Sequence, residues 1–343
     1  MSLDIEWPRY PTDTGPTDIS SPDIPEAESG FFVDYKVFDD VIGALQCEAD
    51  ALKPGSPPDS RPDNLRQWTT FIKELESDDP GYFLVGDYPA GLGLVNSCYQ
   101  AAGVLYAIGY YYHSLFATVA TLVAETKKQH LAAEDHAGDI LAKTNATRLT
   151  PDGLTNFPEF SGGVPGPLIE DGNAWKENHD LGYYYDHIRQ KATDGDWDAG
   201  YDDLYKMVHS LRPDLMDIAG TRFHGLANGI EDSRKVLYEQ ASDLAKGWHG
   251  ATAGVALRCM ERLYDLGAHI VSAAWLSGSA LQWHADKQRA WQRAVKPKDD
   301  LSEFLDDWMP WNHVGDELKK AIQQQTVETT NAFPTSVASP FFS

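Results

Sequence analysis

Two short stretches of this chain carry residue types that could hold a metal. In "HLAAEDH", His130 and Glu134 stand one helical turn apart and share a face, with His136 beyond. A third donor on that face is missing, and a zinc or iron site needs one. In "DGDWDAGYDD", Asp194 to Asp203, the acids alternate as in a calcium loop. Position six of such a loop should be Gly and is Ala199; position twelve should be Glu and is Tyr205. A solvated acidic loop is the expectation there. Cys47, Cys98 and Cys259 lie far apart, without zinc spacing, and read as small buried apolar side chains. His209, His224, His249, His269 and His284 are scattered and read as satisfied or exposed rather than catalytic. No Ser-His-Asp order, phosphate loop or nucleophile elbow is recognisable. The expectation is therefore a chain without catalytic residues, metal or cofactor.

The bulk numbers narrow the partners. A chain of 343 residues can form one large domain or two small ones, each with a real core. Its net charge of −24 argues against nucleic acid and against an anionic membrane surface. High acidity also favours solubility, and a salt-loving host would account for it equally. The opening "MSLDIEWPRYPTDTGPTD" has neither a basic start nor an apolar core, so no secretory signal peptide is expected.

The elements that must position any site read as all-α, with no useful strand alternation. Residues 1–30 are rich in Pro, Asp, Ser and Thr and read as a flexible arm. Residues 31–145 form a first helical module: a helix over 31–51, a second over 65–76, and a loop "SDDPGYFLVGDYPAGLG" before a long apolar helix. That helix has no charged residue between Asp87 and Glu125. Its regular seam of Cys98, Ala101, Leu105, Ile108, Tyr112, Leu115, Val119 and Leu122 marks packing on other helices, not a membrane span. Residues 146–200 are a connection dominated by Gly and Pro. Residues 201–296 return to helical periodicity, and 297–343 hold short helices near 299–308 and 314–330, then a loose tail.

The stretch "LAKGWHGATAG" (Leu244–Gly254) interrupts the second helical region. Before it, Phe223, Leu226, Ile230, Leu237, Ala241, Leu244 and Trp248 recur at three or four residues, with one step of seven. After it, Ala256, Cys259, Leu263, Leu266, Ile270, Ala273, Ser277 and Ala280 do the same. Two such stripes meeting at a glycine predict an antiparallel hairpin of helices 214–247 and 251–295 within an elongated, four-helix-bundle-like structure. Gly250 would make the reversal in an αL cap. Trp248 would close the apolar end, half-exposed at a wet tip, and so offer an anchor to a partner.

Two helices of this length joined at Trp-x-Gly resemble the WxG superfamily of type VII secretion substrates, which includes the small WxG proteins and the larger PPE proteins of actinobacteria. The resemblance covers about 201–295, and the carry-over concerns Trp248 and Gly250 alone. It implies a hairpin that pairs with a second hairpin. The order of helices in 31–145 could be a degenerate copy of that hairpin, fused into the same chain; an unrelated helical cap is the other reading.

The family's export signal is a Tyr-xxx-Asp/Glu step just after the bundle. This chain has no tyrosine beyond Val295, and its match to the step is Tyr35…Asp39, near the N-terminus. The resemblance implies a non-enzymatic, secretion-associated substrate or partner. It would bind a secretion-system component, a chaperone or a co-secreted helical protein, or a second copy of itself. Its location would be secreted or cell-surface by a type VII route, otherwise cytoplasmic. The competing reading is a cytoplasmic scaffold or immunity-type protein whose acidic surface masks a basic toxin.

Overall fold

The computed structural model describes residues 32–52, 63–75, 81–135, 195–249, 251–297 and 311–334. The described part is 88% helical, an all-α fold. Helix α1 runs over Tyr35–Leu52, α2 over Asp63–Leu75, α3 over Pro89–Asp135 and α4 over Tyr201–Ser210. Then come α5 (Pro213–Gly247), α6 (Ala251–Ala294) and α7 (Trp311–Ala332). Two residues of extended chain precede α1, β1 (Phe32–Val33), and two follow α5, β2 (Trp248–His249).

Helices α5 and α6 form the frame. Contacts between them run in opposite sense: Asp217 with Arg289, Thr221 with Gln282, His224 with Trp275 and Ser279, Arg234 with Tyr264. The helices touch backbone to backbone where Gly220 meets Gly278. A methyl group added at Gly278 would lie 2.7 Å from the Gly220 carbonyl and 2.5 Å from the His224 ring. Side chains larger than hydrogen would push the helices apart at that crossing.

The other helices pack on this frame. Apolar residues of α1 at Phe38, Val41, Leu45, Ala49 and Leu52 lie on one stripe and are all buried. That stripe covers the late part of α5, with Val37 against Gly247 and Glu48 bonded to Ser233. The early part of α5 is covered by α2, where Leu65 packs on Gly229 and Trp68 meets Phe223 edge-on at 5.0 Å. The seam of α3 is buried at every position except Leu122, which is half-buried against the same core. No helix among the described residues is long and apolar enough to cross a membrane. At the far end, α4 and α7 close a second, smaller cluster around Tyr88, Leu204, Val208, Trp291 and Ile322.

Three expectations need correction. Helix α3 begins inside the stretch read as loop: Pro89 opens it, where a missing N–H is harmless. The loop before it does hold a glycine that needs a positive φ, Gly86 at 99°. The C-terminal helix is neither short nor followed at once by a loose tail. It runs for 22 residues, and Phe333 after it is 2% exposed in the main core. Cys98 is buried as expected, whereas Cys47 is exposed on α1. The side chain of Cys259, the helix read near 299–308, the first 30 residues and most of 146–200 lie outside the described residues.

Because the α5–α6 crossing admits no methyl group, Gly278→Ala should lower stability by about 1–3 kcal/mol, the usual cost of overpacking. Urea unfolding checks this; an unchanged midpoint would show that the crossing can relax freely.

Candidate interaction site

Of the expected site residues, Trp248, Tyr35 and Asp39 lie at one end of the bundle. Helix α5 stops at Gly247, and Trp248 leaves it in an extended conformation, with φ −142° and ψ 117°. Gly250 lies outside the described residues, so the reversal is defined by His249 before it and by Ala251, the first residue of α6. Strand β1 pairs antiparallel with β2, Val33 opposite Trp248 and Phe32 opposite His249. The Asp34 amide then donates to the Gly247 carbonyl at 2.7 Å. An Asp34 carboxylate oxygen accepts from the Lys36 amide at 3.0 Å, turning the chain into α1.

This overturns the half-exposed tip. Trp248 is 1% exposed, and the Phe38 ring packs against its indole at 4.9 Å. The sequence stripe placed Trp248 correctly on the apolar side. It could not show that a segment more than two hundred residues earlier covers the tip. An aromatic side chain so covered is not a free anchor. The surface it would have offered is occupied by the chain's own Val33–Phe38 region.

Tyr35 and Asp39 belong to that covering segment. Tyr35 is the first residue of α1, and Asp39 forms a 2.5 Å ion pair with Lys127 of α3. The Asp39 side chain is 66% exposed. Trp248 and the Tyr35…Asp39 step, separated by most of the chain, therefore sit at the same end.

Farther along the bundle lies a polar cluster that the stripe marked only by its gap. The step of seven from Ile230 to Leu237 skips Ser233 and Arg234, and both are buried. Arg234 donates to the Tyr264 carbonyl at 3.0 Å and to Glu231, and lies 3.9 Å over the Tyr264 ring. Gly267 on α6 leaves room for both Arg234 and the Tyr112 hydroxyl. Ser233 donates to Glu48 of α1 at 2.5 Å. Burial holds the Glu48 carboxyl above the usual carboxylate range, the Ser233 bond opposing it and Asp232 adding to it. Burial likewise pushes the Tyr112 phenol up.

A second polar seam joins α6 to α7. His284 is fully buried and bonded through Nδ1 to Thr329 at 3.0 Å, Tyr88 to Thr326 at 2.7 Å, and Trp291 to Gln325 at 2.7 Å. Burial pushes the His284 imidazole down to about 3 from 6.5, the Lys287 cation adding to it. Sequence reasoning missed this seam because threonines occupy the stripe positions of α7.

Of the two stretches that could hold a metal, the acidic loop is described from Gly195 onward. In the acidic loop, Lys319 donates to the Ala199 carbonyl and Gln323 to the Gly195 carbonyl, both at 3.0 Å. Among the described residues no group of three or more His, Cys, Asp or Glu is placed to hold a metal ion. The side chains of His130, Glu134, His136 and Asp194 lie outside the described residues. His209 bonds the Val295 carbonyl at 2.9 Å, and His224 stacks on Trp275 at 4.3 Å.

Two outcomes follow. Trp248→Ala should cost about 3–5 kcal/mol, the core value for this residue rather than that of a wet tip; chemical denaturation reads it directly. For His284, the unfolded chain takes up a proton below about pH 6.5, while the folded chain does so only near 3. Its contribution is therefore complete above the unfolded value and is lost as pH falls toward the folded one. Between about pH 6 and pH 4, wild type should lose up to about 1.4 kcal/mol per unit more than His284→Asn. Parallel slopes for the two proteins would show that the ring is not held neutral. Against known proteins, no family model, no curated protein and no solved structure matches this chain.

Proposed function

We propose that this chain is a non-enzymatic protein associated with a type VII secretion system, a substrate or the partner of one, acting through the faces of its helical bundle. The observation that carries the reading is the Trp-x-Gly turn between two long antiparallel helices, with the Tyr35…Asp39 step laid beside it. In the small relatives suggested by the resemblance, two hairpins are separate proteins. Here α1, α2 and α3 cover the α5–α6 pair within one chain, which supports the fused reading. Trp248 then serves as an internal keystone. The described surface at this end includes the exposed Asp39 carboxylate.

The reading is tested in the native host, by following this chain in the culture medium with and without the secretion ATPase. Export that depends on the ATPase supports it. Retention in the cell under both conditions, together with capture of a co-encoded basic toxin, would replace it with the scaffold reading. Asp39→Ala separates signalling from folding. The exposed pair with Lys127 is worth about 0–1 kcal/mol, so melting should hardly change while export falls. Normal export of this variant would remove the Tyr35…Asp39 step from the proposal.

A further inference from the structure

The seam between α6 and α7 contains two acceptors whose state can be derived. Each threonine hydroxyl has one proton. Thr329 gives its own to the Gln325 carbonyl at 2.9 Å, and Thr326 gives its own to the Ile322 carbonyl at 2.8 Å. Thr329 Oγ1 can therefore only accept from His284, so Nδ1 carries the proton of the ring. A neutral imidazole has one N–H, which leaves Nε2 as a bare lone pair. Gln288, one turn later on the same face of α6, donates through Nε2 to the Leu84 carbonyl at 3.0 Å. Its Oε1 is the acceptor end. Both side chains are 0% exposed, and neither His284 Nε2 nor Gln288 Oε1 has a hydrogen-bond partner in the protein.

Two of the neighbouring donors are committed elsewhere. Tyr88 must donate to Thr326, whose own proton is spent, and Trp291 donates to Gln325. Two buried lone pairs on adjacent turns call for a ligand that donates twice. An anion cannot do this. A metal ion or ammonium would bring positive charge beside the Lys287 ammonium, itself 3% exposed and set over the Trp283 ring at 4.6 Å. A neutral donor with two protons meets the demand without adding charge.

We infer that His284 and Gln288 form an internal binding site for one small neutral hydrogen-bond donor, a water molecule, that bridges His284 Nε2 to Gln288 Oε1. The water would tie the α6 face contacting α7 to the loop that precedes α3. It would thereby complete the only polar acceptors left open in this seam among the described residues.

The test uses full-length protein labelled with ¹⁵N-histidine, with the His284 signals assigned by their loss in His284→Asn. The expected result is a neutral ring protonated at Nδ1, a hydrogen-bonded Nε2, and a long-lived water cross-peak to the ring. The cross-peak should disappear in Gln288→Leu. A ring protonated at Nε2, an Nε2 shift of a bare lone pair, or a missing water contact in wild type would overturn the proposal. So would a water contact that survives in Gln288→Leu. Titration with Co²⁺ tests the other class of ligand: His284 should be unaffected, and saturable paramagnetic broadening would make this a metal site. If Gln288→Leu does not fold, the wild-type ring state, water contact and cobalt response still decide the matter.

Discussion

Burial of the Trp248 indole beneath the chain's own N-terminal segment is the constraint on which the rest of this architecture depends. Two helices joined by a three-residue turn would leave that ring wet at the end of the pair. Phe38 supplies an aromatic face against it, and β1 supplies backbone partners to the extended Trp248–His249. Once the segment is anchored there, α1 must descend antiparallel to α5, because its apolar stripe starts at Phe38. Helix α2 packs on the earlier part of α5, and α3 returns alongside with Lys127 meeting Asp39. One large side chain thus links the first described residues to the last turn of α5.

Apolar stripes alone would let such helices slide by a turn, and two buried polar layers oppose this. At Arg234 and Ser233, groups from α1, α3, α5 and α6 meet within a narrow slice of the bundle. Sliding α1 by one turn would strand Glu48 away from Ser233 and leave a half-buried carboxylate without its donor, a cost larger than the bond contributes when made. In the α6–α7 seam, the threonines keep their own protons for their helix and present oxygens outward. That limits which neighbours can pair with them. These layers specify the arrangement more than they stabilise it.

The all-α class and the limits of α5 and α6 were legible because long stripes with steps of three and four have few alternative readings. The hidden parts share a physical cause: each depends on contacts between segments distant in the chain. Periodicity put Trp248 on the apolar side but carried no information about Phe38 covering it. The interrupted stripe at Ser233 and Arg234 was visible in the spacing, and a buried polar layer was its meaning. Thr326, Thr329 and Thr330 leave no mark in an apolar pattern, yet a threonine whose hydroxyl bonds its own helix can be buried at little cost. Pro89 reads as a loop residue until its place at the first turn of α3 is seen.

The most direct test of Trp248 closure within one chain is native-state amide hydrogen exchange at Asp34. Its N–H reaches the Gly247 carbonyl only if β1 lies against the turn. Protection of this amide at the level of the α5 core, independent of protein concentration, is the predicted result. An Asp34 amide that exchanges at the free-peptide rate while the core of α5 stays protected would contradict the account, since Trp248 would then be open to another chain.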